Sequence, residues 1–352
     1  MMSTIEVTNP MSGPYPNQRP RNPLLVWTGR VLIGLLVALI ALAVIGASYQ
    51  AIATARDART FPPPGQRVDV GGYKLYIHCL GTGSPTVVTE NGLGGSSPDW
   101  SLVQPAVSQT TRICSYDRAG AGWSEAGPAP RTSQQISKEL HALLINAGVP
   151  GPYVLVGHSA GGMHAQVYAS QYPAEVAGLV LVDPTPAQAI LRFSPAQRRT
   201  VLPDLRQFQL LKAMQFFGLL RFLPLPGAEA LAAVPAATQA QIRAHRLQSG
   251  AMAAMAAEAE GLELSINQTA EAASLPPDRP LIIAWHGIPA EPVELEPQAK
   301  AAMEELVQHS TNGKLVVAEN SGHYIPFDRP DVVIAAINQV VAAARTGTLL
   351  KP

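Results

Sequence analysis

Charge is scarce in this sequence. Only 14% of its 352 residues are Asp, Glu, Lys or Arg, and the 25 acidic and 25 basic side chains cancel. A chain without net charge has no long-range field to gather nucleic acid or steer an ionic substrate, so no nucleic-acid partner is expected. Cysteine is scarcer still. Cys79 and Cys114 are too few for a disulfide-dense scaffold, and no Cys/His cluster offers a metal site. Neither glycine-rich run has dinucleotide or P-loop spacing, so no cofactor is expected either. Internal repeats are absent, and the 29 Gly and 32 Pro are scattered rather than gathered into a low-complexity tract. Apolar residues are plentiful: at 47% they are enough for a sizeable core.

The apolar residues are unevenly spread. Residues 1–23 are polar and rich in Pro and Asn, with little to bury, and are expected to be a disordered tail. No charge occurs between Arg30 and Arg56, and 31–45 is nearly continuous aliphatic sequence. A bilayer core needs about 20 apolar residues in a helix, which this stretch supplies. Residues 24–50 are therefore expected to anchor the chain in a lipid bilayer, with 31–50 in the apolar layer. The long preceding tail argues against a cleaved secretory signal, although Ala53, Thr54 and Ala55 would suit a signal peptidase and leave cleavage open. Three arginines precede the span (Arg19, Arg21, Arg30) and three follow it (Arg56, Arg59, Arg67), so flanking charge does not orient it. Residues 51–65 end in Phe61–Pro62–Pro63–Pro64–Gly65 and predict a stiff extended linker rather than a helix or strand.

Beyond residue 66 the pattern becomes regular. Short β-rich segments at 67–70, 73–79, 85–89, 112–116, 153–156, 176–182, 281–285 and 314–317 alternate, from the fourth onward, with helix-period stretches at 132–147, 161–172, 296–309 and 330–345. Strands followed by strand–helix alternation predict an α/β domain: a mostly parallel, eight-stranded sheet with helices on both faces. Residues 186–275 break the rhythm with Ala/Leu/Gln-rich helical sequence, expected to form a cap inserted between the sixth and seventh strands.

The most informative run is Val154–Leu155–Val156–Gly157–His158–Ser159–Ala160–Gly161–Gly162. A buried strand ends, Gly-x-Ser-x-Gly follows, and a helix begins. That context places Ser159 on a sharp strand-to-helix turn with its hydroxyl thrust out above the sheet. The helix N-terminus beneath favours developing negative charge. Serine is a poor nucleophile at its resting pKa and needs a base. His158 is expected to orient the turn, and His164 to be an ordinary histidine within the helix.

With this elbow, four further segments complete a resemblance. They are Glu90–Asn91–Gly92–Leu93–Gly94–Gly95–Ser96, Tyr116–Asp117–Arg118–Ala119–Gly120–Ala121–Gly122–Trp123–Ser124, Leu181–Val182–Asp183–Pro184 and Ser321–Gly322–His323–Tyr324. From about Arg67 to Arg345 the chain resembles the α/β-hydrolase superfamily, in its serine esterase/lipase-like branch with a helical cap. The resemblance implies that the loop after the last strand hangs over the elbow, so that His323 takes the proton of Ser159. His141, His245 and His309 lie on helical stretches and His286 follows the seventh strand, so they fit this role less well.

The acid that orients His323 is left open. Relatives usually carry it after the seventh strand, where this chain reads His286–Gly287–Ile288–Pro289–Ala290–Glu291–Pro292, with no aspartate. Glu291 would serve with a one-residue shift. Asp183, after the sixth strand, is the other position and is preferred, although Asp-Pro also occurs there in relatives that keep the usual acid. The oxyanion hole is expected from the backbone N–H of Ala160 and of Leu93, the latter in a loop where Asn91 replaces the histidine of relatives.

A serine at the elbow sets the chain apart from the haloalkane dehalogenase and epoxide hydrolase relatives, which use aspartate. What the resemblance implies is acyl transfer: hydrolysis of a small, apolar ester or related acyl compound through an acyl-enzyme. The alternative is a binding or scaffold protein that has lost its triad, which the missing acid would suit. The apolar segment 207–223 of the cap either packs on the catalytic domain, lines an acyl pocket or rests on the membrane. In the sheet order of this fold the strands holding Cys79 and Cys114 are neighbours, which implies a Cys79–Cys114 disulfide. Such a bond persists in an oxidising compartment. The expectation is a single-pass cell-membrane protein with its catalytic domain outside the cytoplasm.

Overall fold

The computed structural model describes residues 22–225, 229–272, 276–289 and 292–350. Eight strands form one sheet: β1 (Gln66–Asp69), β2 (Lys74–Leu80), β3 (Thr86–Glu90), β4 (Ile113–Asp117), β5 (Tyr153–His158), β6 (Val176–Val182), β7 (Leu281–His286) and β8 (Gly313–Ala318). Their spatial order is β1-β2-β4-β3-β5-β6-β7-β8. Only β1–β2 and β2–β4 pair antiparallel; every other neighbour is parallel.

Nine longer helices accompany the sheet among the described residues. They are α1 (Pro23–Thr60), α2 (Ser133–Asn146), α3 (Ala160–Gln171), α4 (Leu205–Phe216), α5 (Ala236–Leu247), α6 (Ala251–Glu260), α7 (Leu262–Glu271), α8 (Glu296–Gln308) and α9 (Pro330–Thr346). The period of two along each strand divides the core in two. Leu155, Leu179, Leu181 and Ile283 face one cluster with Leu143 and Met163 of the covering helices. Val154, Val156, Val180, Val182 and Ile282 face the other, where α9 contributes Val333, Ile337 and Val340. Side chains buried on both faces explain why β5 and β6 read as unbroken apolar runs.

Between β6 and β7 the described residues are largely helical: α4 to α7 with short helices at Ala187–Arg192 and Pro195–Val201. Cys79 faces Cys114 directly across β2–β4, and their sulfurs are joined in a disulfide.

Contacts divide the chain at residues 45 and 46. The first unit is the apolar part of α1, whose large side chains from Leu24 to Ile45 are mostly exposed. The helix has 38 residues and a mean hydropathy of 2.8 over its most apolar window, long and apolar enough to cross a membrane. The tail expected over 1–23 lies outside the described residues except for Asn22 and Pro23.

The linker expected over 51–65 needs correction, because α1 continues to Thr60 and only 61–65 is non-helical before β1 begins at Gln66. Ala51–Ile52–Ala53–Thr54–Ala55–Arg56 contains good helix formers, and the prolines that stop a helix begin at Pro62. Tertiary contacts reinforce the extension within the second unit. Gln50 is buried and donates to Leu247 O at 2.7 Å, and Arg221 pairs with Asp57 at 2.8 Å.

Candidate active site

The elbow forms because three glycines leave no room for anything larger. A Cβ on Gly157 would come within 2.4 Å of Gly161 O, one on Gly161 within 2.4 Å of Glu90 O, and one on Gly162 within 2.5 Å of Pro184. Ser159 takes φ +55°, a conformation rare for a side-chain-bearing residue, and it is held by its N–H donating to Val182 O at 3.1 Å. Its hydroxyl lies 2.9 Å from His323 Nε2. His323 Nδ1–H donates to Asp183 Oδ2 at 2.6 Å. Three residues from the ends of β5, β6 and β8 thus meet in one line, in the chain order serine, acid, histidine.

Asp183 is itself at φ +44° and is almost completely buried. Burial alone would raise its pKa, but hydrogen bonds from His286 and His323 outweigh that and hold the carboxyl below its usual range. Glu291, the rival acid, lies outside the described residues.

His286 was set aside in the sequence as a poor candidate base. It turns out to be the second partner of Asp183, with Nδ1 2.5 Å from Oδ1. His158 Nε2–H donates to the backbone O of His323 at 2.9 Å, so it steadies the loop of the base. Burial, with the charge of His323 adding to it, lowers the His158 pKa to about 4, so the ring is neutral near pH 7. His164 is a buried residue of α3, bonded to Ser133 Oγ at 2.8 Å.

The loop that carries Leu93 is supported from below. Asn91 Nδ2 donates to Tyr116 O at 3.0 Å, and its Oδ1 accepts from Trp100 Nε1 at 2.8 Å. Arg118, fully buried, donates to the carbonyls of Asn91 and Gly92 at 2.6 and 2.8 Å. In a trans peptide the C=O and the following N–H point opposite ways. Anchoring Gly92 O to Arg118 therefore turns the Leu93 N–H away from the core. A Cβ on Gly92 would sit 3.2 Å from Ser159 Cβ, so the loop lies against Ser159. Arg118 also pairs with Glu90 of β3 and Glu258 of α6, at 2.7 and 2.8 Å, tying the cap to this loop. Sequence reasoning missed that role for Arg118 although its motif had been singled out, because the partner Glu258 is 140 residues away.

A cavity of about 380 Å³ opens onto Ser159 and His323. Leu93, Leu211, Leu220, Leu223, Met252 and Met255 make much of its wall, with Asp99 and Arg246 as the charged exceptions. The apolar cap segment 207–223 therefore divides its work. Leu211 and Leu220 face the cavity and Phe208 packs with Ala256 and Ala259, while Phe216, Leu219 and Phe222 are exposed.

A model of the alpha/beta hydrolase family matches residues 87–336, more than half of the chain. The chain belongs to the alpha/beta hydrolase family. Among curated relatives, this chain is 30% identical to the uncharacterized protein YbdG of Bacillus subtilis over 173 residues, 48% of this chain and 51% of that protein. It is 38% identical to YqjL of the same organism over 107 residues, 30% of this chain and 42% of the relative. The chain thus spans about half or less of the length of these curated relatives. Among solved structures, the chain superposes on a thermophilic esterase from Thermogutta terrifontis with a TM-score of 0.58 at 22% identity, covering 80% of this chain and 98% of the esterase. The enol-lactonase of Burkholderia xenovorans LB400 gives 0.59 at 17% identity, covering 79% and 100%. At these identities the likeness to the two structures speaks for the fold alone.

Proposed function

We propose that this hydrolase cleaves small apolar esters through an acyl-enzyme on Ser159, with His323 as general base and Asp183 as the acid that orients it. The observation that carries the reading is the alignment of Ser159 Oγ, His323 and Asp183 at 2.9 and 2.6 Å on the wall of an apolar cavity. Ser159 attacks the acyl carbon as its proton passes to His323 Nε2, which then delivers it to the leaving alkoxide. The N–H groups of Ala160 and Leu93 receive the oxyanion. Water repeats the sequence on the acyl-enzyme and frees the acid. A carboxylate 2.6 Å from His323 supports the catalytic reading over that of a catalytically dead binding protein.

Residues 31–50 are proposed to cross the bilayer, with the catalytic domain on the oxidising side, where the Cys79–Cys114 bond would persist. A fluorophosphonate probe with a Ser159→Ala control tests the chemistry. Labelling of Ser159 together with loss of esterase activity is the expected result. Labelling elsewhere with activity retained overturns it.

A further inference from the structure

His286 closes β7, next to β6, and its side chain is only 4% exposed. Its Nδ1 lies 2.5 Å from Asp183 Oδ1, and its backbone N–H reaches the same oxygen at 3.3 Å. The other carboxylate oxygen, Oδ2, is held by His323. Asp183 is thus gripped from both sides, and its rotamer is set by two rings rather than one. On its far side His286 Nε2 is 3.0 Å from Glu296 Oε2, near enough for charge attraction though not aligned as a hydrogen bond. Glu296 opens α8 and is fixed by Trp285 Nε1–H at 2.7 Å. The charged and titratable groups around the ring are therefore Asp183 of β6, Glu296 of α8, and His323 across the shared carboxylate. Glu319, beyond β8, lies near the adjoining Gly287.

We propose that His286 is a positioning residue of the site: its ring, held between Asp183 and Glu296, locks the rotamer of the Asp183 carboxylate and so the orientation of the His323 ring toward Ser159 Oγ. The inference rests on the triad reading above. Burial works against a charge on His286, but the hydrogen bond and charge of Asp183 and the charge of Glu296 outweigh it and raise the ring's pKa above the usual histidine value. With that grip lost, the Asp183 carboxylate is free to turn about its Cβ–Cγ bond and takes the Nδ1–H of His323 out of line with Ser159 Oγ. The loop after β7, where the usual acid was expected, is here preceded by a histidine that partners the acid placed after β6.

The test uses the full-length protein in detergent micelles, with ¹³C-labelled histidines followed by NMR in a Ser159→Ala background. With Ser159 intact, His286→Ala removes the grip on Asp183 Oδ1 and should lower kcat about tenfold or more with KM unchanged, while His286→Asn keeps an N–H donor near Nδ1 and should restore most of kcat. In the Ser159→Ala background, His286→Ala should shift the His323 ring resonances. Glu296→Gln leaves the Asp183 contacts in place and should lower the pH at which the His286 ring loses its proton, so this arm survives if the His286 variants fail to fold. A folded His286→Ala variant with wild-type kcat, His323 resonances that do not move in it, or a His286 titration that ignores Glu296→Gln overturns the proposal. Ester hydrolysis absent from the wild type while the NMR shift is present would sink the proposed function and leave the role of His286 standing.

Discussion

Replacing Asp183 by Asn probes the centre of the site. Both of its oxygens accept an N–H, from His323 at 2.6 Å and from His286 at 2.5 Å. Asparagine offers one accepting oxygen and one donating NH₂, so one of the two rings must present a bare Nδ1. If that ring is His323, its proton moves to Nε2, the atom that must accept from Ser159, and general-base catalysis stops. If it is His286, the tautomer of His323 survives but the charge that steadies its protonated form is gone. Two unit charges about 4 Å apart at an effective dielectric near 20 interact by about 4 kcal/mol. At about 1.4 kcal/mol per factor of ten, that loss slows the chemical step about a thousandfold, and the tautomer penalty adds to it. Asp183 does not line the cavity, so KM should change little. Initial rates on p-nitrophenyl butyrate, with circular dichroism to confirm folding, measure both constants. A loss in kcat below about tenfold in a folded variant would refute the assignment of Asp183 as the acid.

Other outcomes follow from the same geometry. Arg118→Met strands Glu90 and Glu258 in the interior and releases the oxyanion loop; it should destabilise the protein by about 3–5 kcal/mol in chemical denaturation, and Glu258→Gln by less. Hydrolysis should quicken from acetyl to longer acyl chains, because each methylene buried in the cavity contributes about 0.8 kcal/mol, and a flat response would remove the apolar-pocket reading. His245 is buried against Trp123, and burial lowers its pKa to about 4. A histidine that stays neutral when folded but binds a proton when unfolded makes stability fall as pH drops from about 6.5 toward 4, and His245→Gln should flatten that part of the melting-temperature profile. Alkylation of the native protein should find no free thiol at Cys79 or Cys114; two free thiols would also withdraw the main reason for placing the catalytic domain outside the cytoplasm.

Local pattern alone determined a large part of this protein. Chain segments whose neighbours are close in sequence announce themselves: the doubly buried runs of β5 and β6, the glycine-framed Ser159 and the uncharged stretch 31–45 are set by side-chain period, steric room and hydropathy within a few residues. The end of α1 departs from the linker that the prolines at 62–64 predict, because helix-forming residues and the contacts of Gln50 and Asp57 with the cap carry the helix to Thr60. The contacts that complete the site are of a different kind. Asp183 and His323 are 140 residues apart, His286 meets Asp183 across 103, and Arg118 meets Glu258 across 140. Whether a carboxylate can orient a histidine, or a guanidinium can hold a loop, depends on distances of a few ångströms that exist only once the parallel strands have been laid side by side. Residue types could therefore nominate both Asp183 and Glu291, but only the packing of β6 beside β7, with the loop after β8 folded over them, brings a carboxylate of Asp183 between two histidines.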